Sequence, residues 1–365
     1  MKFVIFGLTV SSSWGNGHAT LWRGLIRALD RQGHEVVFLE RDVSYYAGAR
    51  DLHALPGRSE LILYPSWESV RQKAAAEVAG ADVAMVTSYC PDAIAASDLI
   101  LERAPALRLF YDLDTPVTLA RLSAGAVVPY LPPQGLGDFD LVLSYTGGEA
   151  LNALKRRLGA RRVAPLYGHV DPGLHKPAEP LDAFRADLSY LGTYADDRQA
   201  ALEALFIEPA RLRPEQRFVI GGSGYPEDFP WTDNIHFVRH LPPPDHPSFF
   251  CSSRLTLNVT RADMAAMGFC PSGRLFEAAA CGVPVLSDWW EGLDSFFEPG
   301  REILIARSTD DAVAALDLPG DEIAAIAAAA RERTLGEHRS EDRARELVSL
   351  LEDLETSTAM VMAGE

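Results

Sequence analysis

Basic charge is in short supply. Lys and Arg together number 34 against 51 Asp and Glu, a net charge of −17. A mean field of that sign repels polyphosphate, which argues against a nucleic-acid or anionic-membrane surface but leaves room for a local basic pocket holding one diphosphate. Cysteine is equally sparse. Cys90, Cys251, Cys270 and Cys281 are scattered without a C-x-x-C pair, the pattern of idle thiols in a reducing cytosol rather than of disulfides or zinc. No apolar run approaches the ~18 residues of a membrane helix, and Met1-Lys2 leads into strand-like patterning without a signal h-region. These absences predict a cytoplasmic protein with no transmembrane segment and no nucleic-acid partner.

What is present is the mixture of an ordinary globule: 47% hydrophobic and 23% charged residues in a chain of 365, enough for two domains that each bury a core. Lys2–Leu8 reads as a strand. Ala19–Gln32 reads as a helix, with Leu21, Trp22, Leu25, Ile26 and Leu29 at helical spacing and Gly33 closing it; Glu35–Leu39 is the next strand. Continuous apolar strands alternate with helices as far as Leu141–Ser144 and the helical stretch near Glu149–Leu158. The rhythm breaks over Ala164–Ala186, which holds four prolines, and restarts at Leu188–Leu191. From Asp310 the chain reads as helical to about Glu355, with a frayed end. Such alternation marks parallel sheets covered on both faces. The fold class is therefore α/β: two Rossmann-like halves, 1–166 and 187–335, a hinge over 167–186, and a helical C-terminus over 336–365.

Two such sheets facing across a hinge would make a cleft into which helix N-termini point, a setting that favours phosphate. Chemistry is thus expected in loops that follow strands. In Ser11–His18, Gly15 and Gly17 let backbone N–H groups approach a ligand, with Trp14 and Asn16 lining it. His18 starts the following helix; it suits a base that deprotonates a hydroxyl, or equally a helix-start hydrogen bonder. Asp112-Leu113-Asp114 follows a strand, but Thr115-Pro116 opens a helix directly after it, which favours capping and acceptor-side lining over metal. In the second half, Gly192 and Thr193 end a strand, and Arg198 is placed to clamp a phosphate or to pair with a surface acid. Arg274 and Glu277 lie three apart at the start of a helix. They read as a diphosphate clamp with a ribose-binding carboxylate, or as an ordinary intrahelical ion pair. Asp288, Trp289, Trp290 and Glu291 follow the next strand, where acids beside an indole face suit a sugar.

The stretch RLFEAAACGVPVLSDWWEGLDSFFEPG (274–300) resembles group-1-type glycosyltransferases, most closely the spore-maturation, CgeB-like branch. Tyr190–Tyr194 with Asp197-Arg198, the GHVDP run at 168–172, WGNGHAT (14–20) and YDLDTP (111–116) resemble the same branch. The resemblance implies a GT-B fold, with a nucleotide-sugar donor held by the C-terminal domain, an acceptor site in the N-terminal one, and the last helix packing back on the latter. It implies Glu277 on the ribose, Arg274 and Arg198 on the diphosphate, and Arg239, His240 and Leu241 at the base. The donor would be UDP- or dTDP-linked, with no metal required. Retaining relatives often carry Glu-x7-Glu ending at the ribose glutamate, whereas Phe269 stands at the first of those positions here; Asp263 or Glu291 would have to substitute. The expected function is sugar transfer from a nucleoside-diphosphate donor to an acceptor hydroxyl, with His18 and Glu291 as catalytic groups. A sugar-nucleotide epimerase of the same fold and a non-catalytic nucleotide-sugar-binding protein are the alternatives.

Overall fold

A computed structural model describes residues 1–363 apart from Asn16 and Ala104, with side chains through Thr356. It divides into two compact units. Residues 1–13, 18–167 and those from 340 onward form the first; residues 14–17 and 168–339 form the second.

In the first unit, β1 (Lys2–Gly7), β2 (Glu35–Arg41), β3 (Glu60–Tyr64), β4 (Val83–Thr87), β5 (Leu107–Asp112), β6 (Leu141–Ser144) and β7 (Val163–Pro165) form one parallel sheet. Its order is β3-β2-β1-β4-β5-β6-β7. The period-2 geometry of β1 sends Val4 and Phe6 into one core with Val86, Phe110 and Val142. Phe3 and Ile5 enter the opposite core with Trp22, Leu25 and Met85. Both faces are dry, which is why these strands read as unbroken apolar runs. The C-terminal helix, Ser340–Ala363, adds Ala344, Leu347, Leu351 and Leu354 to the second of these cores, beside helix His18–Arg31. Each buried leucine contributes about 2 kcal/mol. Arg31 and Gln32 tie the two helices to Glu341. The helix runs beyond the Glu355 expected from sequence.

The loop after β1 is held by a residue that sequence reading passed over. Glu40, fully buried in β2, accepts hydrogen bonds from Thr9 Oγ1 (2.8 Å), Val10 N (2.7 Å), Ser11 N (2.9 Å) and Ser11 Oγ (2.5 Å). Four donors on one carboxylate make its burial tolerable and fix the loop's path.

In the second unit, β8 (Ala186–Leu191), β9 (Phe218–Gly222), β10 (Ile235–Arg239), β11 (Ser253–Asn258), β12 (Val285–Ser287) and β13 (Leu304–Ile305) form a parallel sheet ordered β10-β9-β8-β11-β12-β13. Both sheets reverse strand order at one point, between β1 and β4 in the first unit and between β8 and β11 in the second. Loops splay apart there, so ligands of open α/β sheets bind beyond the strand ends at such points. Among the described residues, no helix is long and apolar enough to cross a membrane.

Candidate functional site

At the switch point of the second unit, β8 ends in Tyr190-Leu191-Gly192 and β11 in Asn258. Helix Gly273–Ala280 starts beside them. Ser272 caps it, its Oγ accepting from Arg274 N at 3.2 Å. The buried Arg274 side chain bridges the two strand ends. Its Nε donates to the Leu191 carbonyl, its Nη1 to Asn258 Oδ1 at 2.8 Å, and its guanidinium stacks on Tyr190 at 5.0 Å. Burial lowers its pKa, and the positive charge of Arg198 adds to the effect. Arg274 therefore makes no intrahelical bond to Glu277, and among the described residues no carboxylate pairs with it.

Arg198 donates from Nη1 to the Thr193 carbonyl at 3.0 Å, while its Nε is buried without a partner. Its acidic neighbour Asp197 pairs instead with Arg261 at 3.0 Å. Two guanidinia thus share one strand end with no carboxylate ion-paired to either among the described residues, although the charges of Glu277 and Asp288 reach Arg274; the arrangement has room for an anion. Backbone approach there is close. A Cβ on Gly192 would lie 2.7 Å from the Tyr190 hydroxyl and 3.0 Å from Arg274 Nη2, so a side chain there would displace the residues that hold the guanidinium.

Glu277 lies one turn into the same helix, and burial raises its pKa. Its Oε1 is 3.9 Å from Nε2 of the buried His175. After β10, His240 adopts the left-handed region at φ 51, donates its N–H to the Gly222 carbonyl at 2.7 Å, and packs against Trp14 at 4.5 Å. Leu241 is buried and Arg239 exposed. Gly17 is exposed, with open space where a Cβ would stand, and Asn16 lies outside the described residues.

Beyond β12, Asp288 is engaged internally. It accepts from Thr260 N and Thr260 Oγ1, both at 3.0 Å, and so ties β12 to the end of β11. Trp289 is half-buried under the Arg307 guanidinium at 4.9 Å, whereas Trp290 is core. Glu291 is exposed, and its carbonyl accepts from Phe269 N at 2.7 Å. Phe269, at the position of the missing carboxylate, is itself left-handed at φ 45, and Asp263 is exposed on helix Ala262–Met267. Tyr89 (φ 65) in the first unit, His240 and Phe269 are the three non-glycine residues of positive φ among those described. Such strain tends to collect where function over-determines the backbone.

In the first unit, His18 opens helix His18–Arg31 with Nδ1 buried and unpartnered. Burial lowers its pKa, and the nearby charge of Asp114 opposes the shift. The Tyr89 ring lies 5.8 Å from the imidazole. Asp114 occupies the N-cap position of helix Thr115–Ser123, but its side chain makes no capping bond. The capping expected from sequence is thus absent, and the carboxylate lies near His18 and Tyr89 instead.

Asp112 is fully buried. Its Oδ1 accepts from Asp114 N at 3.1 Å, its Oδ2 has no partner, and burial pushes its pKa up to about 6. The folded chain therefore holds this proton where the unfolded carboxyl has lost it. The contribution of Asp112 to stability is greatest below pH ~4 and falls as pH rises through ~6. Asp112→Asn is expected to flatten that dependence and to stabilise the protein at neutral pH by up to about 3 kcal/mol. Denaturant midpoints measured from acid to neutral pH check this; an unchanged slope would refute it.

Residues 198–349 match the family described as glycosyl transferase-like. No curated protein matches the chain by sequence. Solved structures share the fold. Sucrose-phosphate synthase from Thermosynechococcus elongatus superposes with a TM-score of 0.65 at 13% identity, over 98% of this chain and 99% of that one. HepE of Anabaena in complex with UDP-glucose gives 0.66 at 12%, over 97% and 100%. An alpha-glucosyltransferase in complex with UDP-glucose and DNA gives 0.66 at 11%, over 96% and 99%. At these identities the likeness carries the fold, which is the GT-B arrangement of two Rossmann-like domains with a helical C-terminus. Glycosyl transfer, the function read from the sequence, agrees with the family match, whose span includes Arg198, Arg274 and Glu277.

Proposed function

We propose that this chain moves a sugar from a nucleoside-diphosphate donor to an acceptor hydroxyl. The observation that carries the reading is the pair Arg274 and Arg198, two guanidinia at the strand-order reversal of the second sheet with no ion-paired carboxylate among the described residues. In this reading they hold the diphosphate, Glu277 takes the ribose hydroxyls, and the Arg239–Leu241 loop faces the base. Trp289 and Glu291 lie on the sugar side. Glu291, exposed beside the Phe269 loop, is the candidate substitute for the absent carboxylate.

The acceptor oxygen bonds to the sugar's anomeric carbon as the bond from that carbon to the diphosphate oxygen breaks. The electron pair leaves on the diphosphate and meets Arg274 and Arg198, the kind of fixed charge that contributes most to such reactions. The acceptor proton passes to His18, which burial keeps neutral at pH 7 and able to accept it. The two guanidinia supply the counter-charge, so the diphosphate needs no metal.

HepE and the alpha-glucosyltransferase were each solved with UDP-glucose, which favours a uridine donor over a thymidine one. Within the class, the motifs around 190–198 and 274–300 support a CgeB-like branch, and the sparse, scattered cysteines support a cytoplasmic setting.

A thermal-shift panel of UDP-, dTDP-, GDP- and ADP-sugars tests the donor. A ligand at 100 times its dissociation constant stabilises by about 2.7 kcal/mol. UDP-sugars are expected to give the largest rise. No shift with any member would overturn the reading, while a shift without product from any acceptor would leave a binding protein only.

A further inference from the structure

We propose that His175, His246 and Glu277 form a binding site for one first-row transition-metal ion of the zinc type. All three lie in the second unit, and their candidate ligand atoms fall within 4.8 Å of one another. The site does not depend on the sugar-transfer reading, but it shares Glu277 with the ribose position of that reading, so ion and donor would compete for this carboxylate.

His246 is the first residue of helix His246–Cys251. Its Nε2 lies 3.2 Å from the Leu241 carbonyl, which can only accept, so Nε2 carries the hydrogen and Nδ1 the lone pair. That Nδ1 is buried without a partner. An imidazole whose far N–H is anchored on a backbone carbonyl, with the other nitrogen free, is the orientation that metal-bound histidines adopt. His175 sits in the turn that follows Asp171, its N–H bonded to the Asp171 carbonyl at 2.9 Å. Its side chain is 1% exposed, and neither ring nitrogen has a hydrogen-bond partner. Its Nε2 is 3.9 Å from Glu277 Oε1, too far for a hydrogen bond. Three imidazole nitrogens are thus buried without a partner beside a partly exposed carboxylate, which is costly unless something bonds to them.

The donor set selects the ion. Two neutral imidazoles and one carboxylate suit zinc and its neighbours, whereas magnesium and calcium take oxygen shells. Bonds of roughly 2.0–2.2 Å place tetrahedral ligands about 3.4 Å apart. The observed separation of 3.9 Å between His175 and Glu277 closes to that with a small side-chain shift. The three side chains leave a fourth position open. None of this was visible in the sequence, because the ligands come from a turn, a helix start and a second helix far apart along the chain.

The test is titration of the chelator-treated full chain with Co²⁺, read by visible absorption, with no nucleotide present. One equivalent is expected to bind with the intense absorption of a low-coordinate cobalt site and to be displaced by Zn²⁺. His175→Ala and His246→Ala should each weaken binding by at least about tenfold. X-ray absorption of the zinc-loaded wild-type protein should report two imidazole ligands, a readout that needs no variant to fold. Absence of a one-to-one complex, binding unchanged in both variants, or a zinc shell without imidazole would each overturn the site. Because Glu277 serves both readings, the nucleotide-sugar panel is run on chelator-treated protein, so that loss of the metal site and loss of donor binding are read separately.

Discussion

Replacing Arg274 with alanine is expected to lower turnover about 10²–10³-fold, the usual effect of deleting one group that meets charge developing in the transition state. The size follows from where the guanidinium sits. It is buried, bound on one edge to the Leu191 carbonyl and Asn258, and backed by Tyr190, so it is already oriented before a diphosphate arrives. Stability should change far less. The substitution orphans two acceptors, costing about 1–3 kcal/mol, but it also removes a buried cation that has no carboxylate partner, and the two effects oppose each other. Arg274→Lys should not rescue activity. An ammonium on a flexible stem cannot bond both strand ends and still face a phosphate. Steady-state kinetics beside denaturant melts separate the outcomes. Wild-type turnover in the alanine variant would remove Arg274 from the diphosphate.

The reason Arg274 could be singled out at all is that helix Gly273–Ala280 carries its whole contribution within one turn, so spacing along the chain reports spacing in the fold. The sheets were legible for a similar reason. KFVIFG is buried on both faces, and that leaves an unbroken apolar run. The same logic fails at β7. Val163–Pro165 falls at the start of a proline-bearing stretch that reads as a linker, yet it is an edge strand, where proline is tolerated because one side of the strand needs no partner. The short helices His246–Cys251 and Ala262–Met267 have too few turns for periodicity to declare them. The sequence before Thr115-Pro116 predicts a cap by Asp114 or Thr115, but position does not reveal which way a side chain turns: Asp114 makes no capping bond and the Thr115 hydroxyl bonds Asp112 O and Ser144. Glu40 and His175 were invisible because their partners lie across the fold. A buried glutamate in a strand reads as a polar interruption until the loop that donates to it is in place.

His18→Ala should cut turnover by about 10²–10⁴-fold, the range for removal of a general base, and the change should fall on kcat rather than on donor binding. The imidazole belongs to the first unit and opens helix His18–Arg31 with Nδ1 buried and unpartnered. Desolvation disfavours its charged form and Asp114 restores part of it; the net pKa lies below the ordinary 6.5. A base must be unprotonated to act, so activity should hold as pH falls through 6.5 and drop only below that. Asp114→Asn removes the charge that favours imidazolium. It should move that acid limb to still lower pH and reduce turnover, because the proton taken from the acceptor is then held less well. The same assignment fixes stereochemistry. A base that activates the acceptor for direct attack implies inversion at the anomeric carbon, and NMR of the product reads it. A retained configuration, or an acid limb unmoved by His18→Ala, would take the proton transfer away from His18 and leave it a binding residue.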